Sequence, residues 1–129
     1  MKALWCCRHP PVKAQVDELL RRGIELVVVN KDFYATAEEV IEIAKAHNCK
    51  YIIPVLPLSM VDKVCELAEK NGITVLYAVM EKRDISGVTE IDPNVDVIVP
   101  KSNGKEQYVV ARFRGFKKLK GVRLELEDW

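Results

Sequence analysis

An arginine and a histidine, Arg8-His9, stand directly after the apolar run Leu4-Trp5-Cys6-Cys7 and before Pro10-Pro11. A guanidinium holds phosphate or carboxylate oxygens through paired N–H donors, and an imidazole exchanges protons near neutral pH. Together they suit binding of an anion and acid–base chemistry on it. Pro11 fits the first position of a helix, where its fixed φ matches and its missing N–H is no loss. Pro10 has no side-chain oxygen, so the amides of Val12 and Lys13 are expected to lack a local partner. Free amides and the helix dipole would add to an anion site. The competing reading is structural: an uncapped helix beside a surface Arg-His pair.

Similar chemistry recurs where other apolar runs stop. Ile24 to Val29 is followed by Asn30-Lys31, Tyr51 to Leu56 by Pro57-Leu58-Ser59, and Ile73 to Met80 by Glu81-Lys82-Arg83. If these runs are parallel strands, their carboxyl ends form one rim of polar and mostly basic residues. In open α/β sheets that rim is where ligands bind. It suits a phosphate-bearing ligand such as a nucleotide or a small RNA. Loops are polar in any case, which is the plainer explanation.

The elements that would position the rim follow from hydrophobic spacing. Lys2 to Cys7 is the first strand. Val12, Val16, Leu19 and Leu20 share a helical face, and Gly23 ends that helix. Ile24 to Val29 reads as a strand covered on both faces. Thr36-Ala37-Glu38-Glu39 has capping-box spacing, ahead of a helix that buries Ala37, Val40, Ile41 and Ala44 and closes at His47-Asn48. Pro54 belongs at the end of the third strand. Ser59, with Asp62, is placed to cap a third helix whose inner face is Leu58, Val61, Cys65 and Ala68; Asn71-Gly72 terminates it. After the fourth strand the helical period disappears. Asp84 to Val95 reads as a loop, Asp96 to Val99 as a fifth strand, and Gln107–Phe116 with Val122–Glu127 as a hairpin.

At 129 residues the chain is expected to be a single domain, with βα repeats over 1–83 and a β-rich tail over 96–127. Alternating strands and helices imply a parallel sheet. The expected fold is α/β: a minimal Rossmann-like three-layer parallel sheet with a C-terminal β-hairpin. The tail extends the sheet or pairs with a second copy. The net charge of +1 points to no global nucleic-acid surface. The apolar runs are too short to span a bilayer and the start is not a signal peptide, so a cytoplasmic protein without membrane contact is expected.

Several chemistries are weighed down. There is no G-x-G-x-x-G, no G-x-x-x-x-G-K-[ST] and no G-x-S-x-G. The carboxylates suggest no metal cluster, with Asp32 and Asp84 the only rim candidates, so neither metal nor cofactor is expected. Cys6, Cys7, Cys49 and Cys65 lack metal-ligand spacing and read as reduced, core-filling residues. Cys7 beside Arg8 is the exception, as a candidate for a lowered thiol pKa and a nucleophilic role. Arg-His after a first strand is also seen in histidine phosphatases, but Pro10 replaces their Gly and no histidine follows His47. In the tail, Arg112, Arg114, Lys117, Lys118, Lys120 and Arg123, interleaved with Tyr108, Phe113 and Phe116, could track a nucleic-acid backbone. The stronger reading pairs Arg112 and Arg114 with Glu125 and Glu127 across the hairpin.

Two segments together resemble a known family. Trp5-Cys6-Cys7-Arg8-His9-Pro10 is similar to the strand-then-T-R-H-P-G opening of a small stand-alone CRISPR-associated family of type III systems. Leu56-Pro57-Leu58-Ser59, leading to Val64-Cys65 and Gly72-Ile73, is similar to that family's L-P-x-x turn, V-C helix and following strand. The likeness covers roughly the first 80 residues in outline. Pro11 stands where the family tends to have Gly, Cys7 where Thr is usual, and the basic tail is longer.

The resemblance implies a Rossmann-like domain that dimerises, binds cyclic oligoadenylate across the dimer groove and acts as a ring nuclease in antiviral defence. By position only Arg8, His9 and Ser59 carry over, as catalytic residues. Asn30, Lys31, Lys82 and Arg83 are ligand-binding candidates from the rim alone. The alternatives are a nucleotide sensor or adaptor without turnover, and a homodimeric interaction module without ligand.

Overall fold

The computed structural model describes residues 1–7, 10–29, 34–56, 58–84, 91–100, 108–122 and 127–128. Six strands and three helices form a mixed α/β fold: β1 (Lys2–Cys6), α1 (Lys13–Arg21), β2 (Glu25–Val28), α2 (Ala37–Ala46), β3 (Cys49–Pro54), α3 (Leu58–Lys70), β4 (Thr74–Asp84), β5 (Asp96–Pro100) and β6 (Tyr108–Leu119). The sheet order is β2-β1-β3-β4-β6-β5. The first four strands are parallel, as the βα alternation predicts, and β6 and β5 add antiparallel.

β1 is central and wholly apolar inside, with Ala3, Leu4, Trp5 and Cys6 buried. Its alternation sorts the core into two faces. Leu4 and Cys6 join Ile52 and Val75 under α2 and α3, which contribute Val40, Ala44, Val64 and Ala68. Ala3 and Trp5 join Ile53 and Leu76 beneath Leu19 of α1. The expected inner faces of α2 and α3 are buried as read, with Val64 added; the side chain of Leu58 lies outside the description.

Local signals place the helix ends. Gly23, at φ +74°, turns the chain out of α1 in a conformation that costs a Cβ-bearing residue. Thr36 Oγ1 accepts from the Glu39 amide at 3.1 Å, and Glu39 returns a bond to the amide of Ala35 at 2.9 Å. The capping box thus forms, with its return arm one residue earlier than the ideal pattern.

Two expectations change, and two more fall partly on residues outside the description. β2 is an edge strand rather than one covered on both faces, and Val28 is 59% exposed. β4 does not stop at Met80: Glu81, Lys82 and Arg83 remain in the ladder against Arg112, Ala111 and Val110. β6 supplies hydrogen bonds to β4 beyond the reach of β3, so charged residues extend the strand instead of ending it. β6 forms a hairpin with β5; the expected pairing of Gln107–Phe116 with Val122–Glu127 falls on residues 123–126, outside the description, and the Val122 amide donates to Asp62 on α3. Among the described residues Arg112 pairs with Asp96 and Arg114 with Glu81; the expected partner Glu125 lies outside the description.

A bulge bends the β4–β6 ribbon, because Ala78 faces Phe116 while Met80 faces Phe113. The extra residue falls in β6 beside Gly115, which adopts φ +117°. Strict alternation would send Phe113 and Phe116 to opposite faces; the bulge brings their rings together, centroids 4.9 Å apart.

Candidate functional site at the carboxyl edge of the sheet

β1 and β3 lie side by side, with Cys6 level with Pro54. Beyond them the Val55 amide donates to the Cys6 carbonyl at 3.2 Å, and the Cys7 thiol approaches the Ile53 carbonyl at 3.8 Å. From this point the two segments part. The chain after β1 leads to α1 on one face of the sheet, and the chain after β3 leads to α3 on the other. Neighbouring parallel strands whose connections diverge in this way leave a crevice at their carboxyl ends.

Of the candidate residues, the side chains of Ser59 and Lys82 are described. Ser59 is exposed and is the second residue of α3. It is therefore inside the helix rather than its cap, and Asp62 is engaged with Val122 instead of closing a box. Arg8, His9, Asn30 and Lys31 lie outside the described residues, as does the side chain of Arg83. Lys82 is exposed but is not on the rim. Ile52 pairs with Val75, which sets the end of β3 level with Tyr77. Lys82 is farther along β4 by about 17 Å at ~3.3 Å per residue.

The helix head is not the open amide cradle that Pro10-Pro11 suggests. Helix α1 begins at Lys13 with Val12 as its cap residue. Gln15 Oε1 accepts from the Val12 amide at 2.9 Å, and the Asn94 carbonyl accepts from the Ala14 amide at 2.8 Å. Gln15 is buried and its Nε2 rests against Met80 Sδ. A glutamine three positions into a helix can close its own head, a signal present in the sequence; the contribution of Asn94 comes from 80 residues away and carries no local signal.

The thiols here are held in their protonated form. Burial, reinforced by the neighbouring Cys6, pushes Cys7 up to about 12, against a smaller opposing effect of the Val55 backbone bond. Burial likewise pushes Cys6 up to about 12, although a hydrogen bond with the Tyr34 hydroxyl acts the other way. The expectation of a lowered Cys7 pKa is overturned, because desolvation dominates. All four cysteines are free, and among the described residues no cluster of His, Cys, Asp or Glu could hold a metal ion.

The β5–β6 side has its own polar centre. The Asp96 carboxylate is fully buried and takes Arg112 in a two-bond fork at 2.8 and 3.0 Å, with the Asp92 amide at 2.8 Å. This centre holds the Asp92–Val95 turn whose Asn94 carbonyl meets α1. It is structural, and it removes Arg112 from any nucleic-acid surface. No helix of the described residues is long and apolar enough to cross a membrane.

Comparison with protein families, characterised proteins and solved structures finds no match to this chain.

Proposed function

We propose that the chain is a small Rossmann-like, cytoplasmic, dimeric protein that binds cyclic oligoadenylate at the carboxyl edge and cleaves it without a metal ion. The observation that carries this reading is the divergence of the segments after β1 and β3. By chain order Arg8 and His9 follow Cys7 directly, and exposed Ser59 opens α3 on the other side of the same crevice. The ligand class rests on the resemblance of the two segments to the CRISPR-associated family.

The chemistry needs no metal. A ribose 2′-hydroxyl held in line attacks its neighbouring phosphorus, the 5′-oxygen leaves, and a 2′,3′-cyclic phosphate forms. Positioning supplies much of the acceleration. His9 takes the proton from the 2′-hydroxyl or delivers one to the leaving oxygen. Arg8 stabilises charge on the phosphate, helped by Asn30 and Lys31. Ser59 orients the ribose or phosphate.

A sensor without turnover is the second reading, and the engaged amides of Val12 and Ala14 favour it, since they leave less fixed positive charge for a transition state. Incubation with cyclic tetra- and hexa-adenylate in the presence of chelator, followed by chromatography, separates the two. The catalytic reading expects linear products, slowed tenfold or more by His9→Ala with binding retained, and both binding and cleavage weakened by Arg8→Ala. Binding without products supports the sensor. Cleavage unchanged in both variants rejects the assignment.

A further inference from the structure

A cleft of about 310 Å³ opens on the α1 face of the sheet, away from the carboxyl edge. It lies where α1 ends and β3 and β4 begin. Ile24 and Leu76 are buried in its lining, half-buried Tyr51 and Phe116 bring two aromatic rings to it, and the exposed cations Arg22 and Lys118 stand beside them. The register sets Lys118 opposite Leu76 and Phe116 opposite Ala78, so the lysine and the phenylalanine belong to the same face. Helix α1 covers Trp5 and Ile53 on this face, and the cleft occupies the neighbouring ground over β3, β4 and β6.

Among the described residues neither cation of the cleft has a carboxylate to itself. The nearby carboxylate, Glu18, is shared: Arg21 binds it through Nε and Nη2, and Arg22 through Nε at 2.9 Å. Two guanidiniums on one carboxylate leave a net positive charge. Lys118 makes no ion pair among the described residues. An apolar, aromatic-lined concavity of this size with few polar groups is the usual form of a small-molecule site. Flat rings bind against aromatic side chains, and an anionic substituent is drawn to the cations beside them.

We propose that this cleft binds a small aromatic anion: a planar ring seated against Tyr51 and Phe116, with its negative group held by Arg22 and Lys118. Nucleoside monophosphates and aryl carboxylates share that chemistry. The site is separate from the carboxyl edge, so it stands whether or not the proposed cleavage occurs.

Titrations of the ¹⁵N-labelled full chain, followed by amide shifts, test the proposal with adenosine monophosphate and indole-3-acetate as the two probes. At least one is expected to move the amides of Ile24, Tyr51, Leu76, Phe116 and Lys118, and which one does so identifies the source. For the monophosphate, adenosine alone and inorganic phosphate alone should bind at least tenfold more weakly, because each lacks half of the recognised group. Lys118→Glu, an exposed change, should raise Kd tenfold or more, and Phe116→Leu should weaken the ring contact while preserving the core. The proposal is overturned if neither probe moves these amides, if shifts are confined to the carboxyl edge, or if Lys118→Glu leaves Kd unchanged.

Discussion

Cys7 shows how burial decides chemistry at the residue scale. An adjacent arginine in the sequence favours a reactive thiolate, yet the Cys7 thiol lies by the Ile53 carbonyl and its burial raises the pKa. The consequence for stability has a definite sign. Cys6 and Cys7 have folded values near 12 against an ordinary 9.0, so the native state keeps protons that the unfolded chain loses. Their contribution is complete below pH 9 and is lost as pH rises from 9 towards 12. Urea unfolding at pH 8 and pH 10 should show a fall that is smaller in Cys7→Ala than in the native chain. An equal fall in both would place Cys7 in a far wetter setting. Asp96 makes the opposite case, a charge that burial tolerates because it is fully engaged. Asp96→Ala strands the partly exposed Arg112 guanidinium and the Asp92 amide, and is expected to cost about 2–3 kcal/mol in urea unfolding.

Elements were legible from the sequence wherever one strand or helix carried its own signal. Apolar spacing identified the buried faces of α2 and α3, Thr36 marked a cap, and Pro54 marked a strand end. Partners from far along the chain were not legible. Glu81-Lys82-Arg83 looks like a loop until β6 is laid beside it, and Ser59 looks like a cap until Asp62 is seen to hold Val122. The bulge in β6 is intermediate: Gly115 hints at it, but its effect on Phe113 and Phe116 needs the register with β4. Gly115 at φ +117° is a position where side chains are strained, and Gly115→Ala should destabilise by about 1–3 kcal/mol. Gly121→Ala is the control. Among the described residues its added Cβ would meet only Asp62 Oδ1, at 3.5 Å, and the urea midpoint should barely move.

Across the whole molecule, parallel β2-β1-β3-β4 builds a crevice and antiparallel β6 and β5 build an arm beyond it. The division explains how much of the candidate site could be read in advance. Strand ends mark a rim only while strands end together, and β4 overshoots by about 17 Å at Lys82. At the head of α1 the Val12 amide is bound by Gln15 and the Ala14 amide by Asn94, which leaves fewer backbone donors for phosphate than Pro10-Pro11 suggests. The proposed function then rests on Arg8, and attraction between solvent-screened charges weakens as salt rises. Calorimetric titration of the full chain with cyclic tetra- and hexa-adenylate, at low and at physiological salt, tests this most directly. The account predicts saturable binding of one ring size, weaker at the higher salt, with Kd raised tenfold or more by Arg8→Ala. No binding of either ring, or an affinity indifferent to Arg8→Ala, would contradict it.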